Sequence, residues 1–222
     1  MGESTLAKKV KSLKIMGGAS RMENWYSVGK DHWGLNNLHA SIPETDQHLL
    51  AGWFQMHSDE MWRGGRNGGR HIDWLAQEHP FPIYMQDEHK DVPASKEYPI
   101  KDVLDLWPAQ LGKPIFSNTF CYMMALGILK GYKEIELYGV GLISVIEAYA
   151  ESLGFGMWIG IAGMNGVKVT DISGRIAPFL YGYMPRVPQW WMPRNVAEAL
   201  IVDESLEARS ERSDWERSQY AG

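Results

Sequence analysis

The sequence predicts an α/β domain in which a mostly parallel β-sheet is covered by helices on both faces. Short apolar segments alternate with longer helical segments between residues 12 and 170, and no internal repeat divides the chain. Such alternation is typical of parallel sheets, because each crossover returns the chain to the same end of the sheet. Hydrophobic residues make up 45% of the 222 residues and charged residues 22%, which is enough to bury one such core.

The individual elements are predicted from composition and turn signals. Leu13–Met16 forms a short buried strand that a pair of glycines ends. Further strands are predicted over residues 31–38, 52–57, 82–85, 115–116, 134–140 and 167–170, and helices over residues 72–77, 100–106, 118–130, 145–153 and 157–165. Residues 64–69 contain four glycines and are predicted to form a loop, since glycine weakens regular elements.

The chain is predicted to divide into an α/β domain over residues 1–183 and a tail over residues 184–222. Residues 184–194 contain three prolines and a tryptophan pair, which suits an extended linker. Residues 195–217 are charged and carry a thin apolar stripe, which predicts a helix. This helix is either a solvated terminal helix or a contact with a partner or with a second copy of the chain.

Charge and cysteine content exclude several classes of function. A net charge of −5 does not indicate a nucleic-acid partner. The only cysteine, Cys121, excludes an intramolecular disulfide and a four-cysteine zinc site, and it is consistent with a reducing cytoplasm. No apolar run reaches the ~20 residues of a membrane helix. We therefore expect a cytoplasmic protein.

The first candidate site is the glycine turn after the first strand. Gly17 and Gly18 let the backbone approach a ligand closely, and the helix predicted after Ser20 and Arg21 points its N–H dipoles toward the turn. The pattern predicts a phosphate-binding loop. It lacks the complete glycine fingerprint of dinucleotide-binding proteins, so a plain structural turn is the alternative.

Polar residues at two later strand ends form the second candidate site. Asn36 and Asn37 follow Trp33 and could read a base edge or a ribose, although asparagines also favour turns. His57 follows the next strand and could act as a general acid or base, or bind a phosphate.

The third candidate site is the start of the apolar helix over residues 118–130, where Ser117, Asn118 and Thr119 precede or open the helix. Ser117 is the predicted N-cap and Gly131 the predicted C-terminal end. The N-terminus of a helix is an anion site, so a second phosphate or other anionic group is predicted here, with simple capping as the alternative.

Two further motifs are noted. Tyr138 and Gly139 end a late strand and permit close approach of a ligand, or only shape a turn. A metal site that uses His57 with Asp59, Asp87 and His89 would instead indicate a hydrolase, provided that the two loops converge. Mg²⁺ is compatible with these residues, but they leave the cofactor and the metal ligands unassigned.

The order of these segments resembles that of a family of proteins encoded by tailed phages. The resemblance covers residues 12–183, where the matching segments are Gly17 to Ser20, Trp33 to Asn36, Trp53 to His57, Pro82 to Gln86, Tyr98-Pro99, Phe116 to Thr119, Leu137 to Leu142 and Trp158 to Gly160. The family is distantly similar to a Rossmann-like group that contains motility accessory factors, archaeal hydroxymethylpterin pyrophosphokinase-like proteins and bacterial sialyltransferases.

The resemblance implies a Rossmann-like three-layer sandwich that binds a nucleotide or a nucleotide-sugar and transfers a glycosyl or phosphoryl group. The family usually has aspartate at the position of Gly141, so this chain departs from its pattern. Two functions therefore remain open. The first is a phage-type transferase, with an altered active site if that aspartate is needed. The second is a non-catalytic binding or virion-associated protein on the same fold.

Overall fold

The computed structural model describes residues 10–18, 25–64, 68–140 and 146–171, whose strands form one seven-stranded sheet. All neighbouring strands are parallel, and their order is β5-β4-β3-β2-β1-β6-β7. The strands are β1 (Ser12–Met16), β2 (Asp31–Leu35), β3 (Gly52–Gln55), β4 (Ile83–Met85), β5 (Ser95–Glu97), β6 (Glu134–Tyr138) and β7 (Lys168–Asp171). This arrangement confirms the predicted α/β class and is that of a Rossmann-like fold.

Burial along the strands explains why the sheet lies inside the molecule. All four residues of β3 are buried, as are the last four residues of β1 and of β2. Successive side chains of a strand point to opposite faces, so consecutive buried residues require a cover on both faces. The central strands therefore read as short apolar runs rather than as an alternating pattern.

The helices occupy the crossovers between these strands. They are α1 (Asp59–Gly64), α2 (Gly68–Leu75), α3 (Ile100–Leu104), α4 (Thr119–Leu129) and α5 (Ile146–Met164), and short 3₁₀ segments cover Asn36–Ser41, Glu44–Leu49 and Ala109–Leu111. Right-handed crossovers place α1 and α2 on one face of the sheet, and α3, α4 and α5 on the other. The packing of α4 against α5 agrees with this assignment. Within the described ranges, no helix combines the length and apolarity needed to span a bilayer.

Helix α4 lies close to the sheet because a glycine faces the strands. A Cβ atom at Gly127 would lie 3.0 Å from Ile135 and 3.2 Å from Leu13, so the helix backbone nearly touches both strands. The predicted end of the helix is confirmed at Gly131, whose φ of 74° lies in the left-handed region and whose N–H donates to the carbonyl of Ile128.

Helix α5 is one continuous helix, so the prediction of two helices separated near residue 155 was wrong. Gly154 lies inside this helix, and a Cβ atom there would be 2.4 Å from the hydroxyl of Ser117 and 2.9 Å from Ile115. The glycine is therefore required for close packing of the helix. Tertiary contact outweighs its low helix propensity.

Three other local predictions were wrong. Residues 115–116 form no strand, because the carbonyl of Ile115 accepts a hydrogen bond from the indole of Trp158 on α5 instead of pairing with a strand. The predicted loop over residues 64–69 is helical at both ends, with α1 ending at Gly64 and α2 beginning at Gly68. The edge strand β5 is polar and was not predicted, since strand propensity is weak in its three residues.

The ring of Trp53 on β3 packs directly against the backbone of β2 at Gly34. A Cβ atom at Gly34 would lie 2.2 Å from the indole ring of Trp53, which is wholly buried. Only glycine leaves room for this ring, because real Cβ contacts do not approach 3.0 Å.

Replacement of Gly34 by alanine is expected to lower the free energy of unfolding by about 1–3 kcal/mol, because the new methyl group would overlap the buried ring of Trp53. The matched control is Gly156→Ala on the exposed face of α5, where a Cβ atom meets nothing within 4 Å. That change should raise stability by about 0.5–1 kcal/mol through helix propensity. Denaturant unfolding of both variants tests the pair, and equal stabilities would contradict it.

Candidate functional site

A cleft of about 530 Å³ opens at the carboxyl ends of β2 and β3, next to the N-terminus of α4. Its volume lies in the range of small-molecule sites. The lining residues come from both strand ends, from α1, from α5, from the first turns of α4 and from the segment that leads into α4. They are Leu35, Asn36, Met56, His57, Met61, Phe116, Ser117, Asn118, Thr119, Phe120, Tyr122 and Glu151.

Asn36 forms one wall of the cleft in a strained conformation. Its φ of 49° lies in the left-handed region, and it is the one non-glycine residue with positive φ among the described residues. The indole of Trp53 donates to its carbonyl at 3.0 Å and so fixes the turn. The side-chain Oδ1 is buried and accepts no hydrogen bond. A buried acceptor without a donor costs free energy, so a ligand that donates to it would be favoured.

The opposite wall is the first turn of α4, which Asn118 caps. The Oδ1 atom of Asn118 accepts from the amide of Cys121 at 3.1 Å, and its Nδ2 is buried without a hydrogen-bond partner. The first-turn amides of Thr119 and Phe120 have no partner within the helix. The helix start therefore presents several N–H donors and a positive dipole end to the cleft.

Ser117 does not cap α4, so that prediction was wrong. Its hydroxyl donates to the carbonyl of Glu151 on α5 at 2.7 Å, which ties the two helices together. The neighbouring Asn118 has the extended backbone of an N-cap and takes the capping role. Both residues nevertheless line the cleft, as does Thr119.

His57 follows the end of β3 and lines the cleft, and a contact with Gln55 on β3 orients its ring. The Nδ1 atom lies 3.1 Å from Nε2 of Gln55, a residue that is 1% exposed. The described residues provide no partner for Nε2 of His57, so this nitrogen is available to a ligand in the cleft.

Two buried histidines continue this contact into the protein interior. Gln55 Oε1 lies 2.9 Å from Nε2 of His71, and Nδ1 of His71 lies 3.0 Å from Nε2 of His39. Burial first, and then the neighbouring histidines, lowers the pKa of both His39 and His71 to about 4. Both imidazoles are therefore neutral at neutral pH.

The sequence analysis missed Glu151 and the apolar walls of the cleft. Glu151 contributes a carboxylate from α5, and Phe116, Phe120 and Tyr122 contribute aromatic rings. Phe116 lies 4.5 Å from Tyr122 between ring centroids, so these rings form one surface. The motif order singled out Phe116 but assigned it no role. Nothing local in the sequence places residue 151 beside residue 57.

Gly17 and Gly18, the two described residues of the glycine turn after β1, do not line this cleft. The amide of Gly17 donates to the carbonyl of Tyr138 at 2.8 Å, so it extends the sheet and is not free for a phosphate. A Cβ atom at Gly17 would lie 2.5 Å from the carbonyl oxygen of Gly139 and 2.9 Å from the ring of Phe120. Gly18 is exposed with open space beside it. Ser20 and Arg21 lie outside the described residues, and phosphate binding by this loop stays a prediction.

The other predicted ligand contacts lie away from the cleft. Trp33 is 2% exposed and packs against Phe54 and Tyr132 in the core. Asn37 is exposed beside the cleft without lining it. Tyr138 and Gly139 end β6 at the switch in strand order between β1 and β6. Gly141 and the predicted tail over residues 184–222 lie outside the described residues.

The metal-hydrolase hypothesis was wrong for the described part of the chain. No group of three histidine, cysteine, aspartate or glutamate side chains there has the geometry to hold an ion. Asp59 pairs with Arg63 at 3.6 Å and with His89 at 3.4 Å, while Arg63 makes two hydrogen bonds to Asp91. The acidic loop therefore forms surface ion pairs instead of converging with His57.

Comparison with known proteins gives similarity of fold only. No protein-family model and no curated protein matches the sequence. The monofunctional alpha-2,3-sialyltransferase Cst-I from Campylobacter jejuni is 13% identical, with 75% of this chain and 77% of that chain covered and a TM-score of 0.48. The sialyltransferase CstII from Campylobacter jejuni, in complex with the substrate analogue cytidine-5'-monophosphate, is 14% identical, with coverages of 77% and 82% and a TM-score of 0.44. These values assign no residue and no activity to this chain.

The conformation of Asn36 gives a first test of the site. Asn36→Gly keeps a residue that accepts positive φ, whereas Asn36→Ala does not, so the alanine variant should be less stable by about 1 kcal/mol. Denaturant midpoints measure the difference. Identical midpoints would show that the turn relaxes and that it is not held by Trp53.

The buried histidines predict how stability depends on pH. Burial first, and then the positive charge of Lys14, lowers the pKa of His32 to about 4, as burial does for His39 and His71. Unfolded histidines titrate near pH 6.5, so between about pH 6.5 and pH 4 the unfolded chain binds more protons. Stability should therefore fall as pH decreases through this window, by up to ~1.4 kcal/mol per pH unit for each histidine.

Urea unfolding at a series of pH values measures this slope. His32→Gln is the matched variant, because the glutamine amide oxygen can replace Nε2 as the acceptor for the amide of Ser27. Between about pH 6.5 and pH 4, we expect the unfolding free energy of the His32→Gln variant to change less steeply with pH, because about one proton fewer is taken up on unfolding. An unchanged slope would mean that His32 is not held neutral in the folded protein.

Proposed function

We propose that this protein is a transferase that binds a nucleotide or a nucleotide-sugar in the cleft between β2, β3 and α4, and moves a glycosyl or phosphoryl group. One observation carries the proposal. The cleft brings together a buried acceptor on Asn36, a buried donor on Asn118, the helix N-terminus and His57, and the first two have no partner among the described residues.

The start of α4 supports binding of a phosphate. The backbone amides of Thr119 and Phe120 and the Nδ2 atom of Asn118 are donors, and the dipole of α4 favours negative charge at this end. A phosphate oxygen on Nδ2 would satisfy a group that is otherwise buried without a bond. Ser117 supplies no such contact while its hydroxyl donates to Glu151.

The remainder of the cleft suits the nucleoside part of the ligand. The rings of Phe116, Phe120 and Tyr122 and the flexible side chains of Met56 and Met61 offer an apolar surface for a flat base. The unpartnered acceptor of Asn36 suits a ribose hydroxyl or an exocyclic amine. The cleft volume of about 530 Å³ is adequate for such a ligand.

Glu151 and His57 are the two side chains that could carry chemistry. A carboxylate next to a phosphate repels it unless a cation bridges them, and Mg²⁺ is commonly held by one or two carboxylates together with substrate phosphates. Glu151 lines the same cleft, and in this proposal it would hold Mg²⁺ together with the phosphate if the reaction uses that ion. His57, held by Gln55, is placed to exchange a proton with the acceptor or to bind a phosphate oxygen.

The test is ligand-induced stabilisation of the purified protein. Cytidine, uridine, adenosine and guanosine 5′-monophosphates and diphosphates are each added at millimolar concentration, with and without Mg²⁺. A ligand at a hundred times its Kd stabilises the protein by about 2.7 kcal/mol, which raises Tm by several degrees for a domain of this size. No shift with any nucleotide would remove the proposal. If nucleotides stabilise the protein but no nucleotide-sugar is turned over, the protein binds nucleotides and the transferase proposal is wrong.

Variants of Asn118 locate the phosphate. Asn118→Ser keeps a capping oxygen and removes the Nδ2 donor, so nucleotide affinity should fall roughly ten-fold with little loss of stability. Asn118→Asp also keeps the cap but places a negative charge at the anion site, so diphosphates should bind more weakly still. The corresponding nucleosides, which lack phosphate, serve as the control ligands. If the variants lose as much affinity for nucleosides as for nucleotides, the phosphate does not bind at Asn118.

A further inference from the structure

A continuous chain of hydrogen bonds leads from the cleft to the interior through three histidines and one glutamine. His57 lines the cleft, and Gln55, His71 and His39 follow at successive donor–acceptor distances of 3.1, 2.9 and 3.0 Å. The three interior members are at most 7% exposed. These three residues do not line the cleft, so they can act on a ligand only through His57.

Packing holds this chain in one place. The ring of His39 stacks on Trp74 with centroids 4.3 Å apart and planes 5° apart, and the ring of His71 is nearly parallel to it. The indole of Trp74 donates to Gln47 at 2.7 Å, and Gln47 in turn donates to the carbonyl of His39 at 3.3 Å. Packing therefore fixes the positions of the two imidazole rings. The changes that remain for these hydrogen bonds are the transfer of ring protons and a half-turn of the Gln55 amide.

The tautomers of the three histidines are coupled by their bonds. A neutral imidazole has one donor and one acceptor, and His39 and His71 are neutral because burial holds their pKa near 4. When Nε2 of Gln55 donates to His57, the Nδ1 atom of His57 is an acceptor and its hydrogen lies on Nε2. Gln55 Oε1 then requires Nε2–H on His71, and Nδ1 of His71 requires Nε2–H on His39.

A half-turn of the Gln55 amide reverses every one of these bonds. His57 then donates Nδ1–H to Oε1 of Gln55 and presents a lone pair on Nε2 to the cleft. His71 accepts from Nε2 of Gln55 and donates Nδ1–H to His39. Both arrangements satisfy the same contacts, because the two ends of the amide have the same shape and opposite hydrogen-bonding character.

We propose that Gln55 is a positioning residue whose amide orientation, held by His71 and His39, decides whether His57 presents a donor or a lone pair to the cleft. The inference rests on the proposed function for the use made of His57. With the donor, His57 binds a phosphate oxygen. With the lone pair, Nε2 accepts the proton of an attacking hydroxyl as the new bond to the transferred group forms and the bond to the leaving phosphate breaks. The Nδ1–H bond to Gln55 then supports the imidazolium, which later returns the proton to the leaving phosphate or to water.

The direct test is the tautomer of each histidine, read from ring ¹⁵N chemical shifts of protein labelled at histidine and free of ligand. In the wild type at neutral pH we expect His57, His71 and His39 all as Nε2–H. In Gln55→Glu the carboxylate only accepts, so His57 should change to Nδ1–H while His71 stays Nε2–H. In His71→Phe the amide is released and His57 should become a mixture of tautomers.

The matched control is His79→Phe. His79 also packs against Trp74, but it bonds to the carbonyl of that residue and not to the chain, so His57 should keep its tautomer. A wild type with His71 as Nδ1–H beside His57 as Nε2–H would overturn the proposal without any variant. So would folded variants that leave His57 unchanged. The tautomer measurement needs no nucleotide, so a failure of nucleotide binding would remove the proposed function and leave the coupling of the histidines testable. If the protein binds nucleotides but the tautomers of the three histidines vary independently, only the inference about Gln55 is removed.

Discussion

The indole of Trp53 holds together the part of the molecule on which the cleft depends. Its ring lies against the backbone of Gly34, its N–H fixes the carbonyl of Asn36, and it also contacts the rings of Trp74 and His39. A single buried side chain on β3 therefore contacts the backbone of β2, the turn that follows β2 and the rings that stack in the interior. The positive φ of Asn36 persists because this contact outweighs its cost.

Among the described residues, the cleft does not lie at the switch in strand order. Parallel α/β sheets usually bind ligands outside the carboxyl ends of the strands where the order reverses, here between β1 and β6. At that point Gly17 continues the ladder to Tyr138, and Phe120 lies over it. The described cleft instead lies over β2 and β3, with α4 aimed at it from the far side. Phe120 touches Gly17 and also lines the cleft, so the two regions are neighbours.

The buried polar chain behind His57 differs from the two unpartnered atoms in the cleft. In the chain from Gln55 through His71 to His39, each contact pairs a donor with an acceptor, which suits a rigid scaffold in a medium of low dielectric. The atoms Oδ1 of Asn36 and Nδ2 of Asn118 have no such partner. Among the described residues, three buried side-chain atoms lack a hydrogen-bond partner: two belong to residues that line the cleft, and the third is Nδ1 of His32, which lies elsewhere. A ligand in the cleft could complete the first two.

The sequence by itself determined the fold class, the apolar strands, the buried helix α4 with its glycine end, and five residues of the cleft: Asn36, His57, Ser117, Asn118 and Thr119. These follow from short-range signals, namely periodicity, caps and polar residues at strand ends. Only the tertiary structure decided that Asn118 and not Ser117 is the cap, that Gly154 lies inside one long helix, and that Gly17 serves the sheet. It also brought Glu151 to the cleft and joined Gln55 to His71 and His39, because such contacts link residues that no local pattern relates.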